Sequence, residues 1–420
     1  MKQTIFNLVD RFFKLGMLFF LSIFIGRFLG PESLGKYSLI TSVVLVFSTF
    51  ITGGSDILIF RDFSLKNTLT RNIIYSFYAR IFFLILSILI LFICRQFYFQ
   101  NITNEIFCII CWFLLFFLFN ANEQYFISRG NTSFFLKLTF LICVPFFLLK
   151  IFLIYYFSDV IPKFYIDVVE QFFLVIILFY FVYKSFTIKK ENFIISKKIF
   201  NKWVFNFIPL WLNAIIVILY TKADQFILSE YLGMSELGKY MASIQISSII
   251  LIPVSALLSS KLGLLLNLKI NDSVSFEDKI KQYTLFVFRL AVLWSVFLYF
   301  FSEIILTLIF GDKFKGTSIY MVLYSFAMIF NCIGMVAGQW IIVEKLYWIP
   351  TFRSIIGLLF NVVLNFILIP KYGVLGACYS AIITSFITNF VLYFFSKNGK
   401  PIFFLQLAAL SQTFNLKKLL

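Results

Sequence analysis

The chain contains no histidine, and only 13% of its 420 residues are charged. A soluble protein of this length carries roughly a quarter charged residues. So low a fraction, with 61% hydrophobic residues and a mean hydropathy of +0.96, excludes an ordinary water-soluble globule. Acidic residues are the scarcer sign, 19 against 36 lysines and arginines. Cysteines number six, all in or beside apolar runs. Cys108-Ile-Ile-Cys111 is a lone CxxC with no second pair and no histidine to complete a metal site, so it reads as packing. No paired-Asp metal motif stands out, and no catalytic residue, metal or cofactor is expected. No small-x-small cleavage site follows the first apolar run, so it reads as a span rather than a signal peptide.

What is present is long apolar runs, and about 20 such residues cross a bilayer. Twelve are expected: 12–29, 38–60, 72–94, 106–127, 134–157, 165–183, 203–228, 240–266, 283–309, 317–343, 350–369 and 374–396. The apolar tail 402–410 is too short to cross. The fold class is therefore an all-α polytopic membrane protein of about 12 helices in two parallel six-helix bundles. The expected division is a first bundle over 1–183, a basic linker over 184–202, a second bundle over 203–396 and a tail over 397–420.

The +17 net charge could suggest nucleic acid, but its placement points to a membrane. With the N-terminus in the cytoplasm, the inner connections collect Lys2, Arg61, Lys66, Arg71, Arg129, the lysines of 184–202, Lys269, Lys279, Lys281 and those of the C-terminal tail. The outer connections hold few, among them Lys36, Arg95, Lys163, Lys239 and Lys371. This asymmetry is the positive-inside rule, and it places both termini in the cytoplasm. No outer connection is large enough to be a domain.

A phrase is written twice. Leu29-Gly30-Pro31-Glu32-Ser33-Leu34-Gly35-Lys36-Tyr37 follows the first span, and Leu232-Gly233-Met234-Ser235-Glu236-Leu237-Gly238-Lys239-Tyr240 follows the seventh. Weaker echoes pair Gln124-Tyr125-Phe126-Ile127 with Gln339-Trp340-Ile341-Ile342, and Ile161-Pro162-Lys163-Phe164 with Ile369-Pro370-Lys371-Tyr372. Copies six spans apart share an orientation, which predicts two halves related by an axis along the membrane normal.

The two phrases, Gly53-Gly54-Ser55-Asp56 with Arg61-Asp62, Asp224-Gln225-Phe226-Ile227-Leu228, and Asn361-Val362-Val363-Leu364-Asn365 running on to Gly376-Ala377 together resemble bacterial polysaccharide flippases. These export O-antigen or capsule repeat units and belong to the multidrug/oligosaccharidyl-lipid/polysaccharide exporter superfamily. The resemblance implies alternating access between two bundles. The cargo it implies is an undecaprenyl-pyrophosphate-linked oligosaccharide, moved from the cytoplasmic to the periplasmic leaflet of the bacterial inner membrane. It implies an H+ or Na+ counter-ion, surrounding membrane lipids, no nucleic acid, and a monomer associated with polymerase and chain-length machinery.

Charges inside spans are costly and face a cavity or a partner. Lys14, Arg80, Lys150, Lys222, Lys261 and Arg289 are the candidates for a cationic cavity suited to a pyrophosphate or acidic sugar. Lys14 could equally snorkel to the inner interface, or pair with Asp10 one turn before it. Arg80 and Arg289 occupy corresponding spans, with snorkelling an even competitor. Asp224 is either an ion-coupling carboxylate, which the resemblance favours, or the outer end of its helix. Three alternatives remain. A cation-coupled drug exporter of the same superfamily would keep a membrane-embedded carboxylate. An O-antigen polymerase or ligase would need a large outer loop with catalytic Arg or His. A peptidoglycan-precursor flippase would carry extra C-terminal spans.

Overall fold

The computed structural model describes residues 2–65, 71–97, 103–128, 132–185, 197–346 and 348–413. Helices α1 (Lys2–Phe28), α2 (Pro31–Thr52), α3 (Ser55–Leu65), α4 (Arg71–Phe97), α5 (Asn104–Phe116), α6 (Ala121–Ser128), α7 (Thr132–Phe157) and α8 (Ile161–Ser185) come first. They are followed by α9 (Lys197–Ser247), α10 (Leu251–Asn271), α11 (Ser273–Phe310), α12 (Ser318–Val343) and α13 (Trp348–Tyr372). The chain closes with α14 (Val374–Phe386), α15 (Leu392–Phe395) and α16 (Lys400–Thr413). Helix is the expected outcome, because lipid offers backbone amides no partner and a helix satisfies them internally.

Ten helical stretches among the described residues are long and apolar enough to span. The longest, residues 199–271, bends at Gly233, whose φ of +80° lies in the region glycine favours, and so holds two spans. Helix α1, over the first expected span, is not among these ten stretches.

The second span begins and ends earlier than expected, at Pro31–Thr52. The run 38–60 breaks at Gly53-Gly54, where Gly54 has φ +74°, and α3 follows as a separate short helix. A side chain on Gly54 would stand 2.7 Å from the Trp211 backbone nitrogen. The Trp211 indole in turn donates to the Phe50 carbonyl at 2.8 Å.

The chain separates into two compact units, Met1–Leu29 with Lys36–Leu219, and Gly30–Gly35 with Tyr220–Leu420. The division falls inside α9, between Leu219 and Tyr220. Trp203, Phe207 and Trp211, on the first half of α9, form a row of ring contacts with Tyr75, Phe83 and Phe50 of the first unit, edge-on for Tyr75 and Phe50 and stacked for Phe83 on Trp211. The expected linker lies mostly on 186–196, outside the described residues.

The second unit is built around α12, which packs against α10, α11 and α14. Serines hold it to its neighbours: Ser247 donates to the Met321 carbonyl at 2.8 Å and Ser295 to the Ser325 carbonyl at 3.2 Å. Such small polar residues permit close approach and supply bonds that lipid cannot. The apolar tail is helical. Residues 400–413 form α16, which packs on α11 with Ile402, Leu405, Gln406 and Ala409 buried.

Candidate functional site

A cavity of about 370 Å³ lies within the first unit. Three lysines and three carboxylates reach it: Lys14 from α1, Glu123 from α6, Lys150 from α7, and Lys163, Asp167 and Glu170 from α8. The spacing 163, 167, 170 places the last three on one face of α8. Lys150 Nζ lies 2.7 Å from Asp167 and also bonds Glu170. Lys163 lies 2.5 Å from the other oxygen of Asp167, with its ammonium over the rings of Tyr37 and Phe164. Lys150, Lys163 and Glu170 are each less than a tenth exposed. Two lysines and two carboxylates therefore close a neutral network across α7 and α8. Neutrality matters because an unpaired charge here would be costly.

Lys14 forms a second, more open network, 3.1 Å from Asp10 and 3.2 Å from Glu123. It pairs with the residue one turn before it and also reaches the cavity, so both expected roles meet in one side chain. The structure places Lys14 and Lys150 on one cavity, where carboxylates match lysines one for one. Lys163 and Asp167 escaped the sequence reading because Ile161-Pro162-Lys163 looks like a connection. The signal available was the i, i+4, i+7 spacing of Lys163, Asp167 and Glu170.

Arg80 does not line this cavity. It is fully buried in α4, bonded to Asp56 and to the Ser55 hydroxyl at 2.9 Å, with the Phe117 carbonyl at 3.2 Å. It ties α3, α4 and the turn after α5 together as a packing element.

In the second unit, Asp224 is buried and accepts from the Tyr240 hydroxyl at 2.6 Å and the Gln225 amide at 2.8 Å. Tyr240 closes the second copy of the repeated phrase and is itself wholly buried. Asp224 is therefore an internal, hydrogen-bonded carboxylate rather than a solvated helix end. Lys222, Lys261 and Arg289 are half-buried on α9, α10 and α11, and among the described residues none has a carboxylate within ion-pair distance.

One cation of this unit escaped sequence reading. Arg353, on α13, donates to Asn389 Oδ1 at 3.3 Å and the Tyr393 hydroxyl at 2.8 Å. Asn361 and Asn365, one turn apart on the same helix, bond each other at 2.9 Å.

A family model described as polysaccharide biosynthesis protein matches residues 1–261. A curated relative, the capsular polysaccharide biosynthesis protein CapF of Staphylococcus aureus, is 32% identical over 113 residues. That match covers 27% of this chain and 28% of the relative, so the chain aligns with less than a third of it. Among solved structures, an inward-facing multidrug resistance MATE family transporter of the MOP superfamily superposes with a TM-score of 0.68 at 13% identity. That superposition covers 99% of this chain and 96% of the transporter. The lipid II flippase MurJ in an inward closed conformation superposes with a TM-score of 0.64 at 19% identity, covering 99% and 92%. The chain therefore shares the all-α, multi-pass membrane fold of these two proteins.

Proposed function

The chain belongs to the polysaccharide biosynthesis protein family, and we propose that it flips undecaprenyl-pyrophosphate-linked oligosaccharide repeat units across the bacterial cytoplasmic membrane for surface polysaccharide assembly. The observation that carries this reading is the family match itself, because residues 1–261 include every charged residue of the first unit's cavity. The cargo would leave the cytoplasmic leaflet and arrive in the outer one by alternating access, with both termini in the cytoplasm.

The cavity supplies what a sugar pyrophosphate needs. Ammonium and carboxylate groups held at fixed places can bond sugar hydroxyls, and a lysine that leaves its carboxylate can meet a phosphoryl oxygen. The same exchange offers a route to ion coupling, since a carboxylate that loses its lysine takes up H+ or Na+ instead. Asp224, already served by Tyr240, is the second unit's candidate for that role. The chain would act as a monomer beside polymerase and chain-length proteins.

Cells lacking the chain are expected to accumulate the lipid-linked repeat unit on the cytoplasmic face and to lose surface polysaccharide. Retained surface glycan would remove the proposal. One observation favours a second reading, a cation-coupled exporter of drugs or small solutes: the cavity's lysines are matched by carboxylates, so it is not the cationic surface expected of a purely anionic cargo. That reading predicts lower dye efflux with surface glycan intact.

A further inference from the structure

Helix α14 does not run straight into α15. Residues Ile387–Val391 form a π turn, a register in which one extra residue is accommodated and a side chain is re-aimed. The residue it re-aims is Asn389, which is buried and bonds three other helices. Its amide donates to Asn331 Oδ1 on α12 at 3.0 Å, its Oδ1 accepts from Arg353 on α13, and its backbone carbonyl accepts from Gln406 on α16 at 3.4 Å.

The surrounding residues are small where this arrangement needs space. A side chain on Gly334 would stand 2.5 Å from Asn389 Cγ. One on Gly357, a turn beyond Arg353, would stand 2.9 Å from Thr388 Cγ2 and 3.2 Å from the Tyr220 ring. On Gly338, a turn beyond Gly334, nothing lies within 4 Å of where a side chain would begin.

Arg353 is thereby held but not used up. Both of its bonds leave from one terminal nitrogen. A guanidinium has five N–H donors, so Nε and the other terminal nitrogen keep theirs. Among the described residues it has no carboxylate partner, unlike Arg80, Lys14, Lys150 and Lys163. A membrane arginine with free donors is expensive unless something anionic meets it. The planar fork suits two oxygens of one phosphoryl group. From this geometry we infer that Arg353, positioned by Asn389 and Tyr393 at the π turn, is a phosphoryl-binding residue of the second unit. The inference rests on the reading that the cargo carries a pyrophosphate.

The test uses the full chain purified in detergent, with farnesyl pyrophosphate and inorganic pyrophosphate as probes. Wild-type protein is expected to bind farnesyl pyrophosphate, and R353Q to bind it at least tenfold more weakly with an unchanged ligand-free melting temperature. R353K is expected to stay weak, because the charge remains but the fork is lost. If R353Q does not fold, N389D serves in its place. There a carboxylate meets the guanidinium, and binding should fall although the arginine is still present. A preference for farnesyl over inorganic pyrophosphate identifies a lipid headgroup as the source, and equal binding identifies free phosphate chemistry. Wild-type affinity in both R353Q and N389D would overturn the inference. So would a wild-type protein that binds neither probe while its deletion still abolishes surface glycan, and in that case the flippase reading would stand. Surface glycan that survives deletion would instead count against the flippase reading itself.

Discussion

Gly35 and Gly238 hold reciprocal places in the second unit. A side chain on Gly35 would stand 2.7 Å from the Met234 carbonyl carbon, and one on Gly238 would stand 2.7 Å from that of Pro31. The backbone at Pro31 and Gly35 therefore lies against that at Gly238 and Met234. This explains why residues Gly30–Gly35 belong with the second unit although the rest of α2 belongs with the first. Absence of a side chain at both glycines is a packing requirement, of the kind that lets membrane helices approach closely.

Alanine at either position is expected to destabilise by roughly 1–3 kcal/mol, the usual cost of forcing atoms into a filled site. Gly16 is the control. Nothing lies within 4 Å of its would-be side chain, so G16A should be neutral or stabilising by up to about 1 kcal/mol through helix propensity. Thermal unfolding in detergent, followed by size-exclusion chromatography, separates the two. Equal melting points for G35A, G238A and G16A would contradict the contact.

The network of Lys150, Lys163, Asp167 and Glu170 predicts a charge-balance effect. K150M leaves a buried carboxylate unmatched and should cost about 3–5 kcal/mol. Adding E170Q restores neutrality and should recover a large part of that loss. A double variant no more stable than K150M would mean that the pairing does not control stability at this site.

Removing the hydroxyl that serves Asp224 tests its proposed coupling role. Y240F should fold, since the ring still fills its buried place, but Asp224 loses its 2.6 Å donor. Export by Y240F is expected to fall and its dependence on external pH or Na+ to shift, whereas D224N should export without such dependence. An unchanged ion dependence in both variants would remove Asp224 from the coupling scheme.

Between α10 and α11, Asp272 caps the following helix. Its carboxylate accepts from the Ser275 hydroxyl and from the Ser275 and Val274 amides. These bonds, the Ser275 hydroxyl first, hold its pKa below the usual carboxylate value. A lowered folded-state pKa means that the cap contributes fully above the unfolded value and is lost as pH falls through the folded one. Protection of the first amides of α11, measured against their intrinsic exchange rate at each pH, should therefore fall in acid. D272A should show the lowered protection already at neutral pH.

Much of the fold was legible in the sequence because apolar length decides what crosses a bilayer. The doubled phrase was legible too, since Gly-containing polar connections do not repeat by composition alone. What sequence could not supply was pairing. Arg80 reads as a costly buried cation until Asp56 and Ser55 are seen beside it, 24 and 25 residues away in the chain. Lys163 reads as a loop residue until α8 turns it inward. Trp203, Phe207 and Trp211 look like the start of a second bundle, and only their ring contacts with Tyr75 and Phe83 assign them to the first unit. Arg353 escaped notice because its partners lie across the π turn, which no local pattern announces.

The central claim is tested most directly by reconstitution. Purified chain in vesicles loaded on the inner leaflet with a polyisoprenyl-pyrophosphate-linked oligosaccharide should expose the sugar to an external glycosidase, at a rate that rises with an imposed ion gradient. Protein-free vesicles should keep the sugar protected. Equal protection with and without the chain, alongside transport of a cationic dye, would contradict the flippase account.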